Sequence, residues 1–131
     1  MAEKKMILAI DDDPVVLGAL AAQLTKAYDL RISKSAADAS ILLERIHPDL
    51  VLLDLEMPYI SGFEFLHTIK KNPKFMDIPV IIVSGHCEEE FVQHAERSGA
   101  SGVVPKPVIK ETLLQKINEA FSAPPKKILE L

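Results

Sequence analysis

The chain has little that would tie it to an oxidising compartment, a membrane or a polyanion. It carries one cysteine, Cys87, in 131 residues, so no internal disulfide can form and a reducing compartment is implied. Nineteen acidic and fifteen basic side chains leave a net charge of −4, and no basic field recommends nucleic acid or an anionic membrane. Long hydrophobic runs are missing. The first, Met6-Ile7-Leu8-Ala9-Ile10, stops at Asp11, too soon for a signal peptide or a membrane span. There is no internal repeat, no low-complexity tract and no glycine-rich phosphate loop, so nucleotide binding has no support. What remains is the expectation of a cytoplasmic domain, nearly half apolar, able to bury about two thirds of its unfolded surface.

What is present is a series of short apolar runs that end in reactive groups. The central one, Leu50-Val51-Leu52-Leu53, reads as a strand buried on both faces. It ends on Asp54 and then meets Met57-Pro58, where the proline forbids further ladder pairing. The first run ends in Asp11-Asp12-Asp13. Leu30-Arg31-Ile32-Ser33 is a more polar strand, nearer an edge. Residues 78–83 form the next buried strand, closing on Ser84-Gly85, and Gly102-Val103-Val104-Pro105 runs into Lys106-Pro107.

Helical patterns fill the intervals. Asp13 as N-cap and Pro14 at the first position start a helix with Val16, Leu20, Leu24 and Ala27 on one face. Ser35 and Asp38 fit a capping box for a helix through Ile41, Leu42 and Ile46, which His47-Pro48 ends. After a loop over 56–61, Gly62 opens a helix carrying Phe63, Phe65, Leu66 and Ile69, stopped by Asn72-Pro73. Glu88, Glu89 and Glu90 suit the first turn of a helix reaching Ser98, with Gly99 as its C-cap. Residues 109–121 form the last helix, with Leu113, Ile117 and Phe121 inward. Five strands alternating with five helices predict an α/β, doubly wound, five-stranded parallel sheet with helices on both faces. The domain is expected over 1–122, and 123–131, beginning Ala123-Pro124-Pro125, as a C-terminal linker or tail, the domain either standing alone or leading on to an output domain.

In such a sheet the carboxyl ends of the strands share one rim, where ligands bind. Asp11, Asp12, Asp54, Ser84 and Lys106 are therefore expected to converge. Close carboxylates repel by about 4 kcal/mol per pair at intermediate dielectric, so such a cluster needs a cation. An all-oxygen site suits a hard divalent ion, Mg2+ before others, with Mn2+ able to replace it. Lys106 adds a point charge and Ser84 a hydroxyl donor, a set suited to phosphoryl transfer onto a carboxylate.

Over roughly residues 6–121 the chain resembles a response regulator receiver domain of the chemotaxis-regulator kind, the phosphoacceptor half of two-component signalling. The resemblance implies a flavodoxin-like fold with strand order 2-1-3-4-5. It implies that Asp54 is phosphorylated, that Asp12 is the main acidic Mg2+ ligand with Asp11 acting through water, and that Asp54 and the Glu56 backbone carbonyl complete the set. Ser84 matches the residue that turns to the phosphoryl oxygen, Lys106 the lysine that pairs with it, and Lys106-Pro107 a cis peptide. The implied partners are a histidine kinase or phosphotransfer protein, a downstream effector, and a second copy through the fourth helix, fifth strand and fifth helix. Neither nucleic acid nor membrane is expected to bind directly, and the domain is not expected to be an enzyme beyond limited self-phosphorylation and dephosphorylation. Three departures stand out: Val103 where relatives carry Tyr or Phe, Pro105 before the lysine, and Val108 in place of an aromatic.

The resemblance implies that the positions of Glu56 and His86, each two residues after a site residue, border the phosphoryl group and tune hydrolysis, and the two are expected to set the lifetime of the phosphorylated state. Asp13 is read as a helix cap and Cys87 as inert. His47, His67 and His94 share no ligand spacing, and Lys70, Lys71 and Lys74 are read as a solvated face. Two rivals remain. An aspartyl phosphatase would want Asp-x-Asp where this chain has Asp54-Leu55-Glu56. A phosphorylation-independent interaction module usually lacks an acid or the lysine, and both are kept here.

Overall fold

A computed structural model of the chain describes residues 3–56 and 61–128. Met57 and Pro58, expected to end the central strand, lie outside the described residues. The elements run β1 (Met6–Ile10), α1 (Pro14–Leu24), β2 (Asp29–Ser33), α2 (Ala36–Ile46), β3 (Leu50–Asp54), α3 (Gly62–Lys71), β4 (Val80–Ser84), α4 (Glu89–Arg97), β5 (Gly102–Pro105) and α5 (Lys110–Ser122). All strand pairings are parallel, in the order β2-β1-β3-β4-β5. This is the doubly wound, flavodoxin-like α/β sheet implied by the alternation of elements and by the resemblance.

Alternation along the strands divides the apolar residues into two cores. Leu8, Ile10, Val51, Leu53, Val80 and Ile82 face α2, α3 and α4, where Ala39, Leu43, Phe65, Leu66, Ile69 and Ala95 meet them. Ile7, Ala9, Leu50, Leu52, Ile81 and Val83 face the other way, onto Leu17, Leu20 and Leu24 of α1 and Leu113 and Ile117 of α5. Each fully buried Val, Leu, Ile or Phe among them contributes about 1.5–3 kcal/mol by leaving water. The three central strands are apolar on both faces because helices cover both. β2, at the edge, pairs on one side alone, and its burial is incomplete.

Local chemistry fixes the helix starts. Asp13 accepts from the Val15 N–H with Pro14 at the first position, and Ser61 accepts from the Glu64 N–H at 3.1 Å ahead of α3. Ser35 accepts from the Asp38 N–H at 3.0 Å, yet the box does not close: the Asp38 carboxylate accepts instead from the buried Ser33 hydroxyl at 2.9 Å. A left-handed His47 ends α2, and Gly99, with φ of 103°, follows α4.

Several expectations need correction. α1 stops at Leu24, so Ala27 falls beyond it and is exposed, and Leu17 takes the inward place. The β4 ladder begins at Val80, because Ile78 donates to Phe75 and Pro79 has no N–H to donate. Glu88 is the N-cap of α4 rather than part of its first turn. In α5 the buried position belongs to Ala120, with Phe121 half-buried under the Lys5 ammonium. Lys70 is not on a solvated face. It is 5% exposed, and its Nζ donates to the carbonyls of Met76 at 3.1 Å and Ile78 at 2.8 Å, tying the α3–β4 connection to the helix. Burial pushes this amine down to about 8, against the opposing pull of Asp77.

Candidate functional site

The strand register builds the site. Ile10 lies opposite Leu53, so Asp11 and Asp54 emerge side by side from β1 and β3. Alternation gives both the facing of Ala9 and Leu52, and each carboxylate is 3% exposed. Asp12 follows on the exposed side of the rim, and one oxygen from each of Asp11, Asp12 and Asp54 falls within a 4.8 Å cluster. Ser84 and Pro105 are paired at the ends of β4 and β5, which brings Lys106 round to the same mouth. Its Nζ lies 3.2 Å from Asp11 Oδ2 and 3.4 Å from Asp54 Oδ1. The Lys106–Pro107 peptide is cis.

Hydrogen bonds set the carboxylates. Asp11 Oδ1 accepts from the Asp13 N–H at 2.9 Å and Asp54 Oδ1 from the Glu56 N–H at 3.1 Å. Burial raises the Asp11 pKa; the Asp13 N–H opposes this, the Asp54 charge adds to it, and Lys106 opposes it again. For Lys106, burial acts downward, but the charges of Asp11 and Asp54 outweigh it and hold the amine above its ordinary value. One ammonium thus serves two buried carboxylates. Asp11 Oδ2 is buried with no hydrogen-bond donor among the described residues, its contact with Lys106 being an ion pair only. Its charge is met only by an ammonium that also serves Asp54, and a buried charge so thinly compensated is costly. Together with the all-oxygen donor set, that orphaned atom fits a hard divalent cation.

Ser84 lies one residue beyond the register of Asp54 and follows the facing of Ile82, toward α3 and α4. Its hydroxyl accepts from the His86 N–H at 3.0 Å, so the structure places it near the rim but turned to its own loop. Two further residues meet across the mouth, with His86 Nε2 only 2.7 Å from Glu56 Oε1. The sequence marks both as tuning residues without a sign that they touch, and marks Gly62 only as a helix opener. The Gly62 N–H donates to Leu55, and a Cβ on Gly62 would lie 2.8 Å from the Asp54 carbonyl oxygen, so this glycine lets α3 close on the end of β3. Asp13 caps α1, and exposed Cys87 has its thiol pushed up by desolvation and by Glu88. His67 and His94 line a groove with Phe63 and Glu64 between α3 and α4, whereas His47 lies elsewhere, against Phe75.

A parallel sheet with acids, a lysine and a hydroxyl at one rim defines a class, and comparison with known proteins agrees with it. The chain belongs to the response regulator receiver domain family, whose profile matches residues 7–118. PilH of Pseudomonas aeruginosa is 35% identical over 117 residues, spanning 88% of this chain and 97% of that protein. Among solved structures, the signal receiver domain of a DNA binding response regulator from Colwellia psychrerythraea superposes with a TM-score of 0.82 at 30% identity, over 91% of this chain and 99% of that one. The Vibrio cholerae chemotaxis protein CheY4 gives 0.83 at 24% identity, over 89% and 98%, a likeness of fold. The chain is a receiver domain of the two-component response regulators, a signalling class rather than an enzyme class. No helix among the described residues is long and apolar enough to cross a membrane.

Proposed function

We propose that this receiver domain is a phosphorylation-dependent switch in which Asp54 accepts a phosphoryl group from a histidine kinase or phosphotransfer protein. The single observation that carries this reading is Lys106 Nζ held between Asp11 and Asp54, one ammonium beside a cluster of three carboxylates. An Asp54 carboxylate oxygen attacks the phosphorus of a phosphohistidine, the P–N bond breaks, and the departing imidazole takes up a proton. Lys106 faces the phosphoryl oxygens and offsets their charge, which matters more than covalent help in a loose transition state. Asp11, Asp12 and Asp54, with the Glu56 carbonyl, would hold a divalent cation, which supplies further positive charge to those oxygens. Ser84 turns from the His86 N–H to a phosphoryl oxygen and so reports occupancy.

Exposed apolar side chains lie close in sequence to the site residues, Val15 three positions after Asp12 and Ile109 three after Lys106, and they suit contact with a donor protein. Residues 123–131 act as a linker or tail beyond α5. The test is intact mass after incubation with Mg2+ and acetyl phosphate. One stable phosphate, absent from Asp54→Asn, is expected. Sustained turnover without an adduct points to a phosphatase, and no adduct at all to a phosphorylation-independent interaction module; either overturns the reading.

A further inference from the structure

In this chain β5 carries no ring: Val103 is buried in the same apolar cluster as Ala95 and Ala100. The rings lie elsewhere. His86 stands 6.1 Å from Phe91 of α4, Phe91 stands edge-on to Phe63 of α3 at 5.9 Å, and Phe63 lies 4.5 Å from His94, one turn further along α4. All these separations fall within the range of interacting ring pairs. The far end of this ladder lines the groove formed by Phe63, Glu64, His67 and His94.

Both anchors of the near end are groups that phosphorylation of Asp54 touches. The His86 N–H donates to Ser84 Oγ at 3.0 Å, and the His86 ring pairs with Glu56 at 2.7 Å, while the Glu56 N–H donates to Asp54 Oδ1 at 3.1 Å. Resting on the phosphoacceptor reading above, we propose that the switch in this chain reaches α4 through the ladder His86–Phe91–Phe63–His94 rather than through a ring in β5. A Ser84 hydroxyl turned to a phosphoryl oxygen leaves the His86 N–H without its acceptor. Phosphorylation of Asp54 alters the carboxylate that holds the Glu56 N–H and so disturbs the Glu56–His86 pair at the same moment. His86 is then released from both sides, and the rings packed in series from it re-pack as a unit, because packed side chains change between discrete arrangements. The response therefore concentrates at the α3–α4 groove.

The test uses the full chain, Mg2+ and beryllium trifluoride as phosphoryl mimic. Fluorine NMR reads uptake, and amide NMR reads the response of Val92, Gln93 and His94. In the wild type, uptake is expected to shift these α4 resonances. Phe91→Leu, which keeps an apolar side chain without the ring, should retain uptake and shrink the α4 shifts by about twofold or more. Val103→Ala should leave them at wild-type size. Full α4 shifts in Phe91→Leu, or their collapse in Val103→Ala, overturn the ladder. So does wild-type uptake with a silent α4, which leaves the phosphoacceptor reading standing. Absence of uptake by the wild type removes that reading and the ladder with it.

Discussion

Gly62 and Gly18 make a matched pair of substitutions with opposite expected outcomes. A Cβ on Gly62 would stand 2.3 Å from Leu55 Cα, 2.7 Å from Leu55 Cδ2 and 2.8 Å from the Asp54 carbonyl oxygen. Carbon atoms in contact prefer about 3.5–4.0 Å, so the start of α3 must move away from β3 by more than a rotamer change can supply. Forced backbone shifts cost about 1–3 kcal/mol, occasionally more, and this overlap lies at the severe end. Set against it is a gain of roughly 0.5–1 kcal/mol from replacing glycine in a helix. Gly62→Ala is therefore expected to lose about 2 kcal/mol, or about 8 °C in Tm for a domain of this size. Around Gly18, exposed within α1, nothing lies within 4 Å of an added Cβ, so only the helical gain applies and Tm should rise by about 2–4 °C. Thermal unfolding followed by circular dichroism, with urea midpoints alongside, measures both. A Gly62→Ala protein melting with the wild type would refute the claim that close approach sets this residue. Because the clash includes the Asp54 carbonyl, acetyl phosphate labelling should fall in the same variant and not in Gly18→Ala.

Lys70→Met leaves the carbonyls of Met76 and Ile78 without their donor and should cost about 1–3 kcal/mol in urea unfolding. Since the folded amine lies at about 8, below its unfolded 10.5, the unfolded chain binds more protons between those values. Wild-type stability should accordingly rise with pH across that window, and the methionine variant should lack the rise. For Asp11 the sign is the reverse: its raised pKa means that the folded state holds the proton more tightly, so stability is lost as pH climbs through the folded value. Asp11→Asn should raise Tm in metal-free buffer at neutral pH; a fall in Tm contradicts the assignment. Mg2+ at a hundred times its Kd should stabilise the wild type by about 2.7 kcal/mol and Asp54→Asn far less, by calorimetry. Replacing both Glu56 and His86 by alanine should alter the autodephosphorylation rate, and an unchanged rate ends that assignment.

The fold was legible because each buried parallel strand is a short apolar run and each ends at the same rim. A carboxylate after Ile10 and another after Leu53 could converge only if the strands ran the same way. Lys70 was not legible. Lys71 and Lys74 close by are exposed, and the carbonyls that hold the Lys70 ammonium belong to a connection that only tertiary folding brings beneath the helix. The direction of the Ser84 hydroxyl depended on alternation continuing to the last residue of β4, which sends it toward α4 and not to the acids. The Glu56–His86 contact joins two loops whose separation in sequence carries no signal of contact. Ala27 was misplaced for a simpler reason: an apolar residue at helical spacing says nothing about where the helix stops.

The chemistry of the site and its cost to stability reside in the same atoms. Two carboxylates at 3% exposure share one ammonium, and the oxygen without a donor belongs to the carboxylate whose pKa burial raises. An arrangement selected for stability alone would neutralise one of the acids, since breaking the charge balance of a buried cluster costs several kcal/mol. Retaining both leaves the metal-free domain short of positive charge at the place where a phosphoryl group and its cation would bring opposite charges together. Occupancy then changes the energy of the rim rather than merely adding to it, and the loops of Glu56 and His86, fastened to that rim by hydrogen bonds of 3.1 and 3.0 Å, are the parts placed to feel the change.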